Sequence, residues 1–257
     1  MPATMLLRAL LLTCLLQAVC LGAPCSKVLR VPFESWPPYS YLDAGGKPAG
    51  FEIDMLDAIA RAAGCKVSWV QDLPRKRRWL YFTQGELDVL LAASDNGLAS
   101  HNAVAMFTRP YRPEIIAAFV LDDRRHRPHV GSLQAMLDHR VPLVTQTGSD
   151  GGYPLAAQFL AAGLVTRYEA YRKGVQLLQL RRGEVLIGDQ WAVQHAATEQ
   201  GVPIRRLDIA IARGEVAYML NRKTLTLADL NVINEAIVQL GRDGTLERIR
   251  RRWLVGL

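Results

Sequence analysis

Beyond residues 1–23, this 257-residue chain has no apolar run near the roughly 18 residues needed to cross a bilayer. An internal membrane span is thereby excluded. Its five histidines and four cysteines include no partner for His101 at metal-ligand spacing, so no metal and no cofactor is expected. No repeat or low-complexity tract is present, which excludes a solenoid. No recognised nucleic-acid motif accompanies the net charge of +7. The densest basic clusters, at 75–78, 124–127 and 248–252, fall among helix or loop residues and read as solvated faces, so no nucleic-acid partner is expected. No acid–acid or His–acid dyad is marked, and no catalytic residue is assigned.

What is present begins with residues 1–23. One early positive charge, Arg8, precedes an apolar core and a small-residue exit at Leu21-Gly22-Ala23. This is the pattern of a secretory signal peptide, cut after Ala23 or Cys25, with no membrane insertion of the mature protein. Pro24 directly before Cys25 does not fit a lipid-anchoring signal.

The stretch 36–64, WPPYSYLDAGGKPAGFEIDMLDAIARAAG, reads as an aromatic loop, a Gly-Gly turn and a helix over 51–63 with Ile53, Leu56, Ile59 and Ala60 at helical spacing. Trp36, Tyr39 and Phe51 meet at one loop beyond a strand. They either plug the sheet end or wall a ligand cleft. Further along, strands are predicted at 88–93, 115–121, 141–146, 165–168, 185–188 and 216–220, and helices at 77–84, 153–162, 173–182, 190–200, 227–240 and at the terminus. Alternation with short connections predicts an α/β fold with mostly parallel sheets, and the polar, basic break at 122–129 predicts two of them.

Cys14 and Cys20 lie within the signal stretch. Cys25 and Cys65 each precede an apolar β-branched run, with one helix between. A strand-helix-strand unit makes those strands parallel and places both cysteines at one sheet end, where a disulfide is geometrically allowed. Two free thiols, or a signal cut that leaves Cys65 alone, remain open.

Several motifs, in order, resemble the type II periplasmic solute-binding proteins of the polar amino-acid class, extracellular solute-binding protein family 3. They are Trp36-Pro37-Pro38-Tyr39-Ser40, Gly50-Phe51-Glu52-Ile53-Asp54, Gly85-Glu86-Leu87-Asp88-Val89, Phe107-Thr108-Arg109-Pro110-Tyr111 and Arg242-Asp243-Gly244-Thr245-Leu246. The resemblance implies a two-lobed periplasmic-binding-protein fold whose lobes are joined by a hinge of two crossing strands. The expected division is a signal peptide at 1–23, lobe 1 at 24–121 and 216–257, and lobe 2 at 122–215. A periplasmic monomer is implied, with a small-molecule solute between the lobes and an inner-membrane ABC permease or a sensor as partner.

Carried over by residue, Trp36 and Phe51 match the family's aromatic sandwich, with Tyr39 beside them. Glu34 lies near an acidic cleft position. Ser94 and Asn96 match contacts to the ligand's amino and carboxylate groups. Gly148-Ser149-Asp150 matches the turn opening a helix, and Asp189 the acid that pairs with a ligand ammonium. The departure is His101, which stands where amino-acid binders carry a carboxylate-gripping arginine. Loss of that charge-assisted pair weakens carboxylate binding on the order of 10- to 100-fold. Leu73-Pro74-Arg75-Lys76-Arg77 resembles a subgroup motif in which Arg77 supplies a cation from another direction, or else Arg77 sits on a solvated helix face. The resemblance thus implies capture of a small polar or cationic, amino-acid-like solute by a protein that is not an enzyme. The alternatives are a cyclohexadienyl-dehydratase-like enzyme on the same fold and a degenerate relative that does not bind.

Overall fold

A computed structural model describes residues 25–74, 77–94, 101–123, 131–147, 153–209 and 211–254. The signal stretch, Asn96, Gly148, Ser149 and Asp150 lie outside them.

The chain opens with strand β1 (Leu29–Pro32), a two-residue hairpin β2 (Tyr41–Leu42) and β3 (Pro48–Ala49), helix α1 (Phe51–Ala62) and strand β4 (Val67–Val70). β1 and β4 pair in parallel, Leu29 opposite Val67. Cys25 and Cys65 enter these two strands and are joined by a disulfide, with Cα atoms 4.9 Å apart. Of the three possibilities left open by the spacing, the bridged one is realised.

Gly50 sets the junction between the aromatic loop and α1. Its φ is 125°, and a Cβ there would lie 2.5 Å from the Tyr39 carbonyl oxygen and 2.9 Å from that of Pro38. Those two carbonyls accept from the first free amides of the helix, Pro38 from Phe51 and Tyr39 from Glu52. A helix start leaves its N–H groups without intrahelical partners, and here the loop carrying Trp36 and Tyr39 supplies them. Along α1, Phe51, Met55, Leu56 and Ile59 are buried, covered by α7 (Leu227–Arg242) and α8 (Thr245–Leu254). The Thr226–Asp229 capping box that starts α7 also anchors Ser26, whose amide and hydroxyl both donate to Asp229.

After α2 (Arg78–Gln84) come β5 (Val89–Ser94), β6 (Ala105–Phe107) and the ten-residue β7 (Arg112–Leu121). The chain continues as α3 (Leu133–Asp138), β8 (Leu143–Gln146), α4 (Ala156–Ala161), β9 (Val165–Tyr168), α5 (Tyr171–Gln179), β10 (Val185–Asp189), α6 (Gln190–Glu199), β11 (Ile204–Arg206) and the ten-residue β12 (Ala212–Asn221). The sheet runs β5-β12-β7-β10-β8-β9. β8 pairs with both β9 and β10 in parallel, whereas β12 and β7 pair antiparallel with each other and with their outer neighbours. β1 and β4 form a separate two-stranded parallel sheet, and β10-β8-β9 is the parallel end of the larger one. The two long antiparallel strands, β12 and β7, lie between β5 and β10 in that larger sheet. One apolar core surrounds α1, α7 and α8 and reaches α5 and α6; a second, built on Val120, Leu143, Phe159 and Val185, lies under α3 and α4.

Candidate functional site

A cleft of about 730 Å³ opens where the aromatic loop faces β7, β10, β12 and the start of α5. Its floor follows from strand alternation: successive side chains on a strand point to opposite faces, so Glu114 and Ile116 on β7 share one face. Asp189 is the Cα partner of Ile116 on β10, and Ala212 and Gly214 on β12 lie opposite Ile116 and Glu114. All five line the cleft.

Asp189 has the most informative surroundings. It is the last residue of β10 and the N-cap of α6, and its Oδ1 accepts from the amides of Trp191 (3.1 Å) and Ala192 (2.9 Å). The Tyr39 hydroxyl donates to the same oxygen at 2.7 Å. Oδ2 is buried with no hydrogen-bond partner. Burial raises the Asp189 pKa to about 6, against the opposing pull of the Arg112 cation, the Ala192 amide and the Tyr39 hydroxyl.

Behind the floor lies a charged core. The Arg112 guanidinium donates through Nε to Glu52 Oε1 at 2.5 Å, and the Tyr111 hydroxyl donates to Glu52 Oε2 at the same distance. Both charged side chains are 1% exposed. Arg112 also lies over the Tyr39 ring, 4.8 Å from its centroid. Burial alone would lower the Arg112 pKa, but Glu52 and the surrounding phenols carry it well above its ordinary value. The guanidinium therefore stays charged. It links Glu52 on α1, Tyr39 on the aromatic loop and the beginning of β7.

The aromatic residues separate into layers. Trp36 lines the cleft and packs on Tyr39, with ring centroids 4.4 Å apart. Tyr39 and Phe51 are completely buried, 5.8 Å from each other. The second indole lining the cleft is Trp79 on α2, itself 41% exposed. Glu34 also lines the cleft and is ion-paired with Arg78, whose Nη2 donates in addition to the Phe33 carbonyl. Arg77, one residue earlier, is exposed at the N-cap of α2 and does not line it. His101 packs edge-on against Trp79, centroids 4.6 Å apart, and is not a lining residue. Ser94 closes β5 opposite Val216.

The cleft thus brings together Glu34, Trp36 and Asp189, with Tyr39 directly behind. Glu52, Arg78, Trp79, Arg112 and Glu114 belong to the site or its support and were not singled out from the sequence. Arg112 and Glu114 carried a usable signal: they are two charges at alternate positions entering an otherwise apolar strand. Among the described residues no group of three or more His, Cys, Asp or Glu could hold a metal ion. No described helix is long and apolar enough to cross a membrane.

The chain is similar in structure to a histidine kinase sensor domain resembling periplasmic binding proteins, with TM-score 0.73 and 19% identity over 90% of this chain and 97% of that one. It is also similar to the GluR0 ligand-binding core in complex with L-glutamate, with TM-score 0.72 and 18% identity over 89% of this chain and 99% of the other. An ancestral arginine-binding protein bound to arginine matches with TM-score 0.69 and 21% identity, over 89% and 99%. No curated protein sequence matches the chain. The fold is the two-lobed, type II periplasmic-binding-protein fold, β7 and β12 being its two crossing strands. The model of the bacterial extracellular solute-binding proteins, family 3, matches residues 29–256, and the chain belongs to that family.

Proposed function

We propose that this protein captures a small polar or cationic, amino-acid-like solute in the cleft, holding its ammonium at Asp189, and hands it to an ABC permease or presents it to a sensor. One observation carries the reading: Asp189 lines the cleft, and its Oδ2 is buried with no hydrogen-bond partner. A buried acceptor left unpaired costs about 1–3 kcal/mol, a cost that a donor arriving with the ligand removes. Trp36 and Trp79 offer flat faces that suit an aliphatic chain, a ring or a cation. Tyr39 and Asp189 lie on opposite sides of the crossing strands in sequence, at 2.7 Å, which supports closure around the site. The relative bound to arginine and the one bound to L-glutamate support an amino-acid-like ligand. The sensor-domain relative supports the receptor alternative to transport. The lobes proposed are 24–121 with 216–257, and 122–215; the protein is proposed to be periplasmic and monomeric after loss of residues 1–23.

The test is a thermal-shift screen of amino acids, polyamines, small peptides and organic acids. A ligand at 100 times its Kd adds about 2.7 kcal/mol, and Asp189→Asn is expected to abolish that shift with the apo protein still folded. Full retention of the shift in this variant overturns the assignment. A second reading is favoured by the Asp189 pKa of about 6, which is suited to proton transfer near neutrality: a dehydratase of cyclic, prephenate-like acids. Turnover of such an acid by the wild type and none by Asp189→Asn would establish it. No shift with any ligand and no turnover would leave the non-binding relative.

A further inference from the structure

Taking the ammonium site at Asp189 as its starting point, we propose that Glu114 is a second cation subsite. The ligand this cleft selects then carries two positive centres, as a short diamine or a diamino acid does. The argument begins with register. Ile116 is the Cα partner of Asp189, and Glu114 is two residues back along β7 on the same face. Glu114 and Asp189 are thus diagonal neighbours across an antiparallel pair, about 7–8 Å apart at Cα. Both line the same cleft. Glu114 also acts on Asp189 electrostatically, favouring its protonated form.

Among the described residues, none in the sheet forms an ion pair with Glu114. Its cross-strand partner on β12 is Gly214, which has no side chain to cover it. Arg213, opposite Ile115, also lines the cleft, but it makes no ion pair or hydrogen bond with Glu114. Arg112, on the same face of β7, is committed to Glu52, and Arg78 to Glu34. Arg172 lines the cleft from α5, where it is exposed. Among the described residues Glu114 has neither an ion pair nor a hydrogen bond. Of the carboxylates that line the cleft, Glu114 and Asp189 are diagonal neighbours on one sheet face, and Asp189 has a buried oxygen without a partner. A monocation answers only one of them. A dication removes the repulsion between them and supplies donors to both, which gives the cleft a preference by charge number.

The experiment is titration calorimetry with matched probes at pH 7.5: 1,4-diaminobutane against butylamine, and L-lysine against L-norleucine. The dication of at least one pair is expected to bind about 10-fold tighter or better, the increment of one charge-assisted hydrogen bond. Glu114→Gln is expected to remove that advantage and leave the monocation affinity within about 2-fold, while Asp189→Asn abolishes binding of all four. Should Glu114→Gln not fold, Glu114→Ala and the wild-type pairs still decide. Equal affinity within both pairs, or an equal loss of dication and monocation in Glu114→Gln, overturns the Glu114 subsite. If monocations bind through Asp189 with no dication advantage, the ammonium reading stands and only this inference falls. If none of the four probes binds the wild type, both fall together.

Discussion

The Tyr39 hydroxyl donates a 2.7 Å hydrogen bond to Asp189 Oδ1 across 150 residues of sequence. It joins the aromatic loop that opens α1 to the residue that ends β10 and caps α6. Removing that hydroxyl keeps the ring packed against Trp36 and Arg112 but takes away one of three donors to the carboxylate. Tyr39→Phe is therefore expected to lose about 1.5 kcal/mol of stability in urea denaturation. It is also expected to raise the Asp189 pKa further, because a bond to the charged form is lost. A carboxyl-detected NMR titration reads the second effect; an unmoved or lowered pKa would show that the hydroxyl does not support the ionised form.

The Asp189 pKa of about 6, against an ordinary 3.8, fixes the sign of a pH dependence. Between those values the folded protein holds a proton that the unfolded chain releases, so stability is greatest below about pH 4 for this group and falls as pH rises through 6. The loss is at most about 3 kcal/mol. Carboxylates such as Asp88 and Asp229, held below their ordinary pKa by hydrogen bonds that outweigh burial, push the other way. The quantity to measure is thus the difference between wild type and Asp189→Asn: the variant should gain relative stability from pH 4 to 7. Cation affinity should rise through the same window and level off above about 6.5, as the proton stops competing.

Glu52 and Arg112 are each 1% exposed and bonded to one another, so neither can be removed alone without leaving a charge buried. Arg112→Met and Glu52→Gln are each expected to cost about 3–5 kcal/mol, and the double variant less than their sum. Denaturant unfolding of the full cycle measures the coupling. Strict additivity would mean that the pair does not act as a unit.

The fold was more legible than the site. Periodicity located α1 at 51–63 against an observed Phe51–Ala62, and the last strand at 216–220 within the longer Ala212–Asn221. The parallel order of β1 and β4 correctly brought Cys25 to Cys65. Short elements escaped: α3 has six residues, started by a Ser132 cap, and β11 has three, too few to show a period. At the site, Trp36 and Asp189 could be read because a loop motif and a strand end mark them. Phe51 belongs to the same motif, yet its position at the first turn of α1 turns it into the core behind Tyr39. Trp79 and Glu114 face the cleft through the choice of helix face and strand register, which depend on pairings distant in sequence.

Gly50 ties that loop to the helix, and two glycine substitutions separate space from backbone strain. Gly46 has φ 72° and nothing within 4 Å of an added Cβ, so Gly46→Ala should cost only the left-handed backbone penalty, about 1 kcal/mol. Gly50 has φ 125°, and the new methyl would sit 2.5 Å from the Tyr39 carbonyl oxygen. That atom belongs to backbone bonded to Glu52, so it cannot move aside without giving up the helix start. Gly50→Ala is expected to lose more than about 2 kcal/mol. Because the displaced residues include Trp36 and Tyr39, ligand-induced stabilisation should drop as well, whereas Gly46→Ala leaves it intact. Parallel apo and ligand-bound melts of the two variants check this. Equal behaviour would mean that the aromatic loop is not held by its carbonyls at α1.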